Sequence, residues 1–151
     1  MEEKDVPIGQ WVAAEGPVTL AAQGVGSCLV LTLYDRKRRS GALAHAMLPT
    51  ANGASKETEN NSRYVDRAVR EMLQRMLDQG SQRGDLQAKI AGGANMFDAP
   101  GRDIGKENVS SAKEALRREN VSLVAECVGG ANGRSIEFCV TSGVMTIKTK
   151  L

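Results

Sequence analysis

Aromatic residues are scarce: Trp11, Tyr34, Tyr64, Phe97 and Phe138 are the full set in a chain of 151 residues. The core is therefore expected to come from Val, Leu, Ile, Ala and Met, and the aromatic-plus-basic platforms on which single-stranded bases stack are missing. An excess of charge is missing too. Twenty Lys and Arg against eighteen Asp and Glu leave a net charge of +2. The two signs are mostly interleaved, so no one-sided field points to a nucleic-acid partner. No apolar run approaches the roughly 20 residues that a membrane-spanning helix needs. Met1-Glu-Glu-Lys-Asp5 is acidic and polar, the opposite of a secretory signal. A cytoplasmic chain, not embedded in a membrane, is expected. Cys28, Cys127 and Cys139 are odd in number, widely spaced and free of any CxxC pair. In a reducing compartment they should be free thiols, with no zinc motif among them.

What is present fits one domain over residues 1–151, with residues 1–16 expected to pack loosely and 50–62 to form a mobile polar loop. Sixteen glycines mark many tight turns. Val18–Ala22 reads as a strand running into the turn Gln23-Gly-Val-Gly-Ser27. Cys28–Tyr34 and Gly41–Leu48 are apolar and β-rich on either side of the polar tip Asp35–Ser40, and read as a hairpin ended by Pro49. The Arg36–Arg39 run at that tip is read as a solvated turn. Between Ser62 and Gln79 the residues Val65, Ala68, Val69, Met72, Leu73, Met76 and Leu77 follow helical spacing, with Gly80 as a stop. Leu86–Ala91 is a strand candidate, and a second helix lies between Ile104 and Glu119, opened either by a Ser111–Glu114 capping box or earlier, at Ile104, and ended by Asn120. Three more strands alternate through Val121–Cys127, Ile136–Val140 and Val144–Lys148. From the hairpin onward the order is β-β-α-β-α-β-β-β. That order predicts an α+β (α/β) fold, a mixed β-sheet sandwich core with two or three helices packed outside.

One constellation has the residue types for chemistry. The only histidine, His45, lies on the second hairpin strand, and Cys28 opens the first, directly after a glycine-rich turn. Symmetry about the hairpin tip pairs residue 34 with 41 and sets Val30 opposite His45. Cys28, Val30, His45 and Met47 then share one face, with Cys28 and His45 as diagonal neighbours. An imidazole beside a thiol is a standard way to generate a thiolate nucleophile. Gly26 and Ser27 can shape the site and bring main-chain N–H groups toward an oxyanion. The residues alone also fit a plainer reading, a small buried cysteine and a hydrogen-bonded structural histidine. Asn108 is read as a helix cap rather than a substrate ligand. Cys127 is assigned to the core and Cys139 to the opposite face of its strand.

The stretches Gly24-Val-Gly-Ser-Cys28-Leu-Val-Leu-Thr-Leu-Tyr34-Asp35 and Gly41-Ala-Leu-Ala-His45-Ala-Met-Leu-Pro49 closely resemble the signature of the CheD family of chemoreceptor glutamine deamidases. Tyr64-Val65-Asp66, Ala88–Phe97, Ile104-Gly105, Asn108, Gly129-Gly130 and Gly133-Arg134 extend the resemblance in the same order. It implies a sandwich fold shared with glutamine-deamidating toxins. It implies a reaction that converts receptor glutamines to glutamates without metal or organic cofactor. As partners it implies the cytoplasmic helices of chemoreceptors, as substrate, and a CheC-type phosphatase. Cys28 maps onto the family's nucleophile and His45 onto its histidine. The family's threonine, six residues before the cysteine, is Ala22 here, so Thr19 and Thr32 are the candidate substitutes for an orienting hydroxyl. Two alternative functions follow: a catalytically weakened regulator of the phosphatase, or a receptor methylesterase.

Overall fold

The computed structural model describes residues 1–51, 63–96 and 100–150. The loop expected over 50–62 falls, from residue 52 onward, outside the described residues. Among the described residues, nine strands and two α-helices run in the order β1 (Glu2–Asp5), β2 (Gln10–Glu15), β3 (Val18–Val25), β4 (Leu29–Asp35), β5 (Ser40–Ala46), α1 (Val65–Asp78), β6 (Leu86–Gly92), α2 (Ile104–Arg118), β7 (Ser122–Val128), β8 (Arg134–Cys139) and β9 (Met145–Thr149), with a 3₁₀ turn at Arg83–Asp85. They form a four-stranded sheet, β1-β3-β8-β9, and a five-stranded sheet, β2-β5-β4-β6-β7. The β1–β3 and β6–β7 pairs are parallel and the others antiparallel. The mixed sandwich with helices outside is thus the architecture the sequence predicts.

The five-stranded sheet is the middle layer, and its centre explains why. In β4 and β5 every residue is buried. Leu29, Leu31, Leu33, Ala42, Ala44 and Ala46 face the helices, where they meet Val65, Val69, Met72, Met76 and Leu116. Val30, Tyr34 and Leu43 face the other sheet and meet Val18, Leu20, Ile136 and Phe138. Period-two alternation gives each face its own set. A continuous apolar run is what a strand covered on both sides requires.

The hairpin has the register expected from its symmetry, with Tyr34 opposite Gly41 and Val30 opposite His45. Its tip, Arg36–Arg39, is exposed. Asp35, itself buried, caps the tip by accepting from the main-chain N–H groups of Lys37 and Arg38. Helix α1 buries the stripe Val65, Ala68, Val69, Met72, Leu73 and Met76.

One expectation needs correction, and one choice left open is decided. Residues 1–16 are not loosely packed: β1 and β2 pair with β3 and β5, and Val6 and Trp11 are buried. Their polar, charge-rich sequence hid edge strands, which bury only part of their length and so carry a weak apolar signal. Helix α2 takes the earlier of its two expected starts, at Ile104, and not a Ser111–Glu114 capping box. Asp103 caps it, accepting from the N–H of Lys106, while the Ser111 hydroxyl donates to the Pro49 carbonyl. The helix ends at Arg118, and Asn120 just beyond its cap has a left-handed φ of 59°, the stop the sequence predicts.

Candidate active site

Cys28 sits at the bend between β3 and β4, half-buried, and its side chain packs against the apolar cluster between the two sheets. Three contacts hold this bend. The Cys28 carbonyl accepts from Gly93 N–H at 2.8 Å and the Gly26 carbonyl from Ala94 N–H at 3.0 Å. The Ser27 carbonyl accepts from the Asn108 side chain at 2.9 Å. Gly92 allows the close approach: it has φ of 108°, and a Cβ there would lie 2.5 Å from the Cys28 carbonyl oxygen. Gly26 is shaped by a neighbour from the other side, since a Cβ there would meet the Met96 sulfur at 2.5 Å.

His45 lies one strand away and is 2% exposed. It is opposite Val30 in β4 and in phase with Leu43 in β5. Its ring therefore enters the same inter-sheet layer that Cys28 packs against. The ring Nδ1 lies 3.1 Å from the main-chain carbonyl of Val6. A carbonyl only accepts, so Nδ1 carries the proton in the neutral ring and Nε2 keeps its lone pair. Nε2 is buried with no hydrogen-bond partner among the described residues. The Val6–Gly9 segment grips this residue twice, because Gly9 N–H also donates to the His45 carbonyl at 2.8 Å. Val6 is anchored in turn to the four-stranded sheet through its N–H and the Ala21 carbonyl.

Burial governs the protonation of both groups. It pushes the Cys28 thiol up from 9.0, partly offset by the residue's own main-chain N–H. It pushes the His45 imidazole down from 6.5, partly offset by the Val6 carbonyl. Both shifts disfavour the charged form. At neutral pH the thiol and the imidazole are therefore both favoured in their neutral forms, and Nε2 keeps an open lone pair. A half-buried thiol at the start of one strand and an imidazole lone pair on the next are the residue types that acyl transfer uses.

The two hydroxyls named as substitutes for the missing threonine do not orient the histidine. Thr19 Oγ1 donates to the Met1 sulfur, in phase opposite to the inward-facing Val18 and Leu20. Thr32 is fully buried, and its Oγ1 has no partner among the described residues. Ala22 lies in the inter-sheet core beside a β-bulge in β3. The acceptor for His45 is a main-chain carbonyl instead, for which no side-chain pattern could give a signal. Asn108 is not a cap either, since it lies in the second turn of α2 and is fully buried. Its signal was available: Asn108, Ala112, Ala115 and Leu116 share the helix's apolar phase, and one of them is polar. Cys127 and Cys139 are both partly buried.

The model of the CheD family, described as CheD chemotactic sensory transduction, matches residues 47–149. Curated relatives extend the match over the Cys28 and His45 segments. The chemoreceptor glutamine deamidase CheD of Thermotoga maritima is 34% identical over 97% of this chain and 91% of its own length. A probable chemoreceptor glutamine deamidase, CheD 2 of Geobacter metallireducens, is 39% identical over 95% of this chain and 91% of its own. The chain belongs to the CheD family. Among solved structures, the hypothetical protein YfiH of Bacillus licheniformis shares the fold, with a TM-score of 0.52 at 14% identity, over 78% of this chain and 49% of that one. Among the described residues no helix is long and apolar enough to cross a membrane.

Proposed function

We propose that this chain hydrolyses glutamine side chains on the cytoplasmic helices of chemoreceptors to glutamate, with Cys28 as nucleophile and His45 as base. The relatives named as chemoreceptor glutamine deamidases support the substrate class. The observation that carries the chemistry is the Val6 carbonyl on His45 Nδ1, which leaves Nε2 unprotonated and unpaired. The Cys28 S–H proton passes to Nε2 as sulfur bonds to the amide carbon. The tetrahedral oxyanion is held by main-chain N–H groups of the Gly26-Ser27-Cys28 turn. The C–N bond breaks and ammonia leaves with the proton from Nε2, giving a thioester. Water then adds, its proton going to Nε2. The C–S bond breaks, the thiol recovers that proton, and the carboxylic acid departs and gives up its own proton to solvent as glutamate.

A neutral thiol is a poor nucleophile, so base and nucleophile must act together, and rate should rise with pH as the thiol ionises. Converting an amide into a carboxylate adds one negative charge to a receptor helix, which is the physical output. Ala22 in place of threonine motivates a rival reading, a regulator of a CheC-type phosphatase with weakened chemistry. The Val6 carbonyl speaks against weakening, because His45 already has its acceptor. Partnership with such a phosphatase and a cytoplasmic location remain part of the proposal on the family resemblance. The thioester route would also serve a methyl ester, and parallel assays on amide and ester forms of a receptor fragment distinguish the two. The main test is ammonia release, with the amide-to-acid mass change, from a receptor cytoplasmic fragment. Wild type should turn over and Cys28→Ala should not; equal rates would refute the assignment.

A further inference from the structure

The side chain of Asn108 connects the two halves of the site from a third element. It projects from α2 and is fully buried. Its Nδ2 donates to the Ser27 carbonyl at 2.9 Å and to the Met47 carbonyl at 3.3 Å. Ser27 precedes Cys28, and Met47 lies two residues beyond His45. Both amide hydrogens are therefore spent on main-chain oxygens, one from each catalytic segment, at the point where β4 and β5 have stopped pairing with each other. The last pair in that ladder is Leu29 with Ala46, so nothing in the sheet fixes Ser27 against Met47.

The cost of this arrangement is visible. Asn108 Oδ1 is buried without a partner among the described residues, and an unsatisfied buried acceptor is destabilising. Reversing the amide would set Oδ1 against two carbonyl oxygens, which repel it, so the orientation is fixed by the acceptors it faces. A side chain serving stability alone would be better replaced by an apolar residue on this face of α2, where Ala112, Ala115 and Leu116 already pack.

We propose that Asn108 is a positioning residue for the Cys28–His45 pair, holding the nucleophile's bend and the base's strand at working distance through its two amide hydrogens. This rests on the assignment of Cys28 and His45 given above. Small displacements of a nucleophile from its base are costly: misplacement by about 1 Å can lower rate by about 100-fold.

The experiment compares steady-state deamidation of a receptor cytoplasmic fragment by wild type, Cys28→Ala, Asn108→Ala and Asn108→Asp, each held well below its own thermal midpoint. Asn108→Asp keeps the volume and removes the paired donors, whereas Asn108→Ala removes both. These variants strain the fold for different reasons, charge in one and a void in the other, so either that folds carries the test. The expected result is a loss of about 10- to 100-fold in kcat with KM within about threefold. Alkylation of Cys28 at neutral pH should slow in parallel. If either folded variant keeps wild-type kcat, or if the loss lies in KM alone, the positioning role is overturned. Activity surviving in Cys28→Ala would instead overturn the underlying assignment, so the two failures are distinguishable.

Discussion

The two faces of the β4–β5 hairpin come from alternate residues of the same two strands, yet they differ in kind. Toward the helices the hairpin offers Leu29, Leu31, Leu33, Ala42, Ala44 and Ala46, all apolar. Toward the second sheet it offers Val30, Thr32, Tyr34, Leu43 and His45. On that face Thr32 Oγ1 and His45 Nε2 are buried without partners among the described residues. Unpaired buried polar atoms are expensive and rare in native structures. One face is therefore specified by packing and the other carries polar groups at a cost in stability. The two orphans on the costly face have different standing: His45 is tied into its place by the Val6–Gly9 segment, and the Thr32 hydroxyl has no partner among the described residues.

This contrast can be broken by substitution on either face. The largest expected effect is on the inter-sheet face, where His45→Gln should lower deamidation by about 10²- to 10⁴-fold, the usual contribution of a general base. Thermal unfolding should show the fold retained. Next is the helix-facing side. Leu33→Ala should destabilise by about 2–5 kcal/mol, through lost transfer energy and the void left behind. Denaturant titration checks this, and kcat per folded molecule should stay near that of wild type. A smaller effect is expected at Thr32→Val, which removes an unpaired hydroxyl at nearly constant volume. It should leave activity unchanged and raise stability by about 1 kcal/mol. A loss of activity there would return Thr32 to the site.

The smallest effect concerns pH. Burial depresses the His45 pKa below its ordinary 6.5, so below that value the unfolded chain takes up a proton the folded chain refuses. Stability therefore rises with pH across this window and is lost as pH falls through it. The unfolding midpoint of wild type should drop more between about pH 7 and about pH 5 than that of His45→Gln, and equal slopes would show the ring is not held neutral.

Most of the framework was legible in the chain. The hairpin register followed from the symmetry of two apolar runs about Asp35–Ser40, and helix α1 from the spacing of Val65 to Met76. Both are local patterns repeated often enough to stand out. Edge strands β1 and β2 were not legible, because Glu2–Asp5 is wholly exposed and β2 buries only Trp11 fully. The cysteine and histidine could be brought to one face by counting residues. The acceptor that orients the histidine could not, because it is a main-chain atom of Val6 and depends on a crossing between sheets. Asn108 stood in view as a polar residue on an apolar helical phase, but its two acceptors come from segments distant in sequence.

The central claim is that the Val6 carbonyl holds His45 as the Nδ1–H tautomer, leaving Nε2 open to take the thiol proton. His45 is the only histidine in the chain, so its ring nitrogens can be read without ambiguity by ¹⁵N NMR of imidazole-labelled protein at neutral pH. A protonated Nδ1 with a lone-pair Nε2 is the predicted result. A proton on Nε2, with Nδ1 bare, would contradict the account.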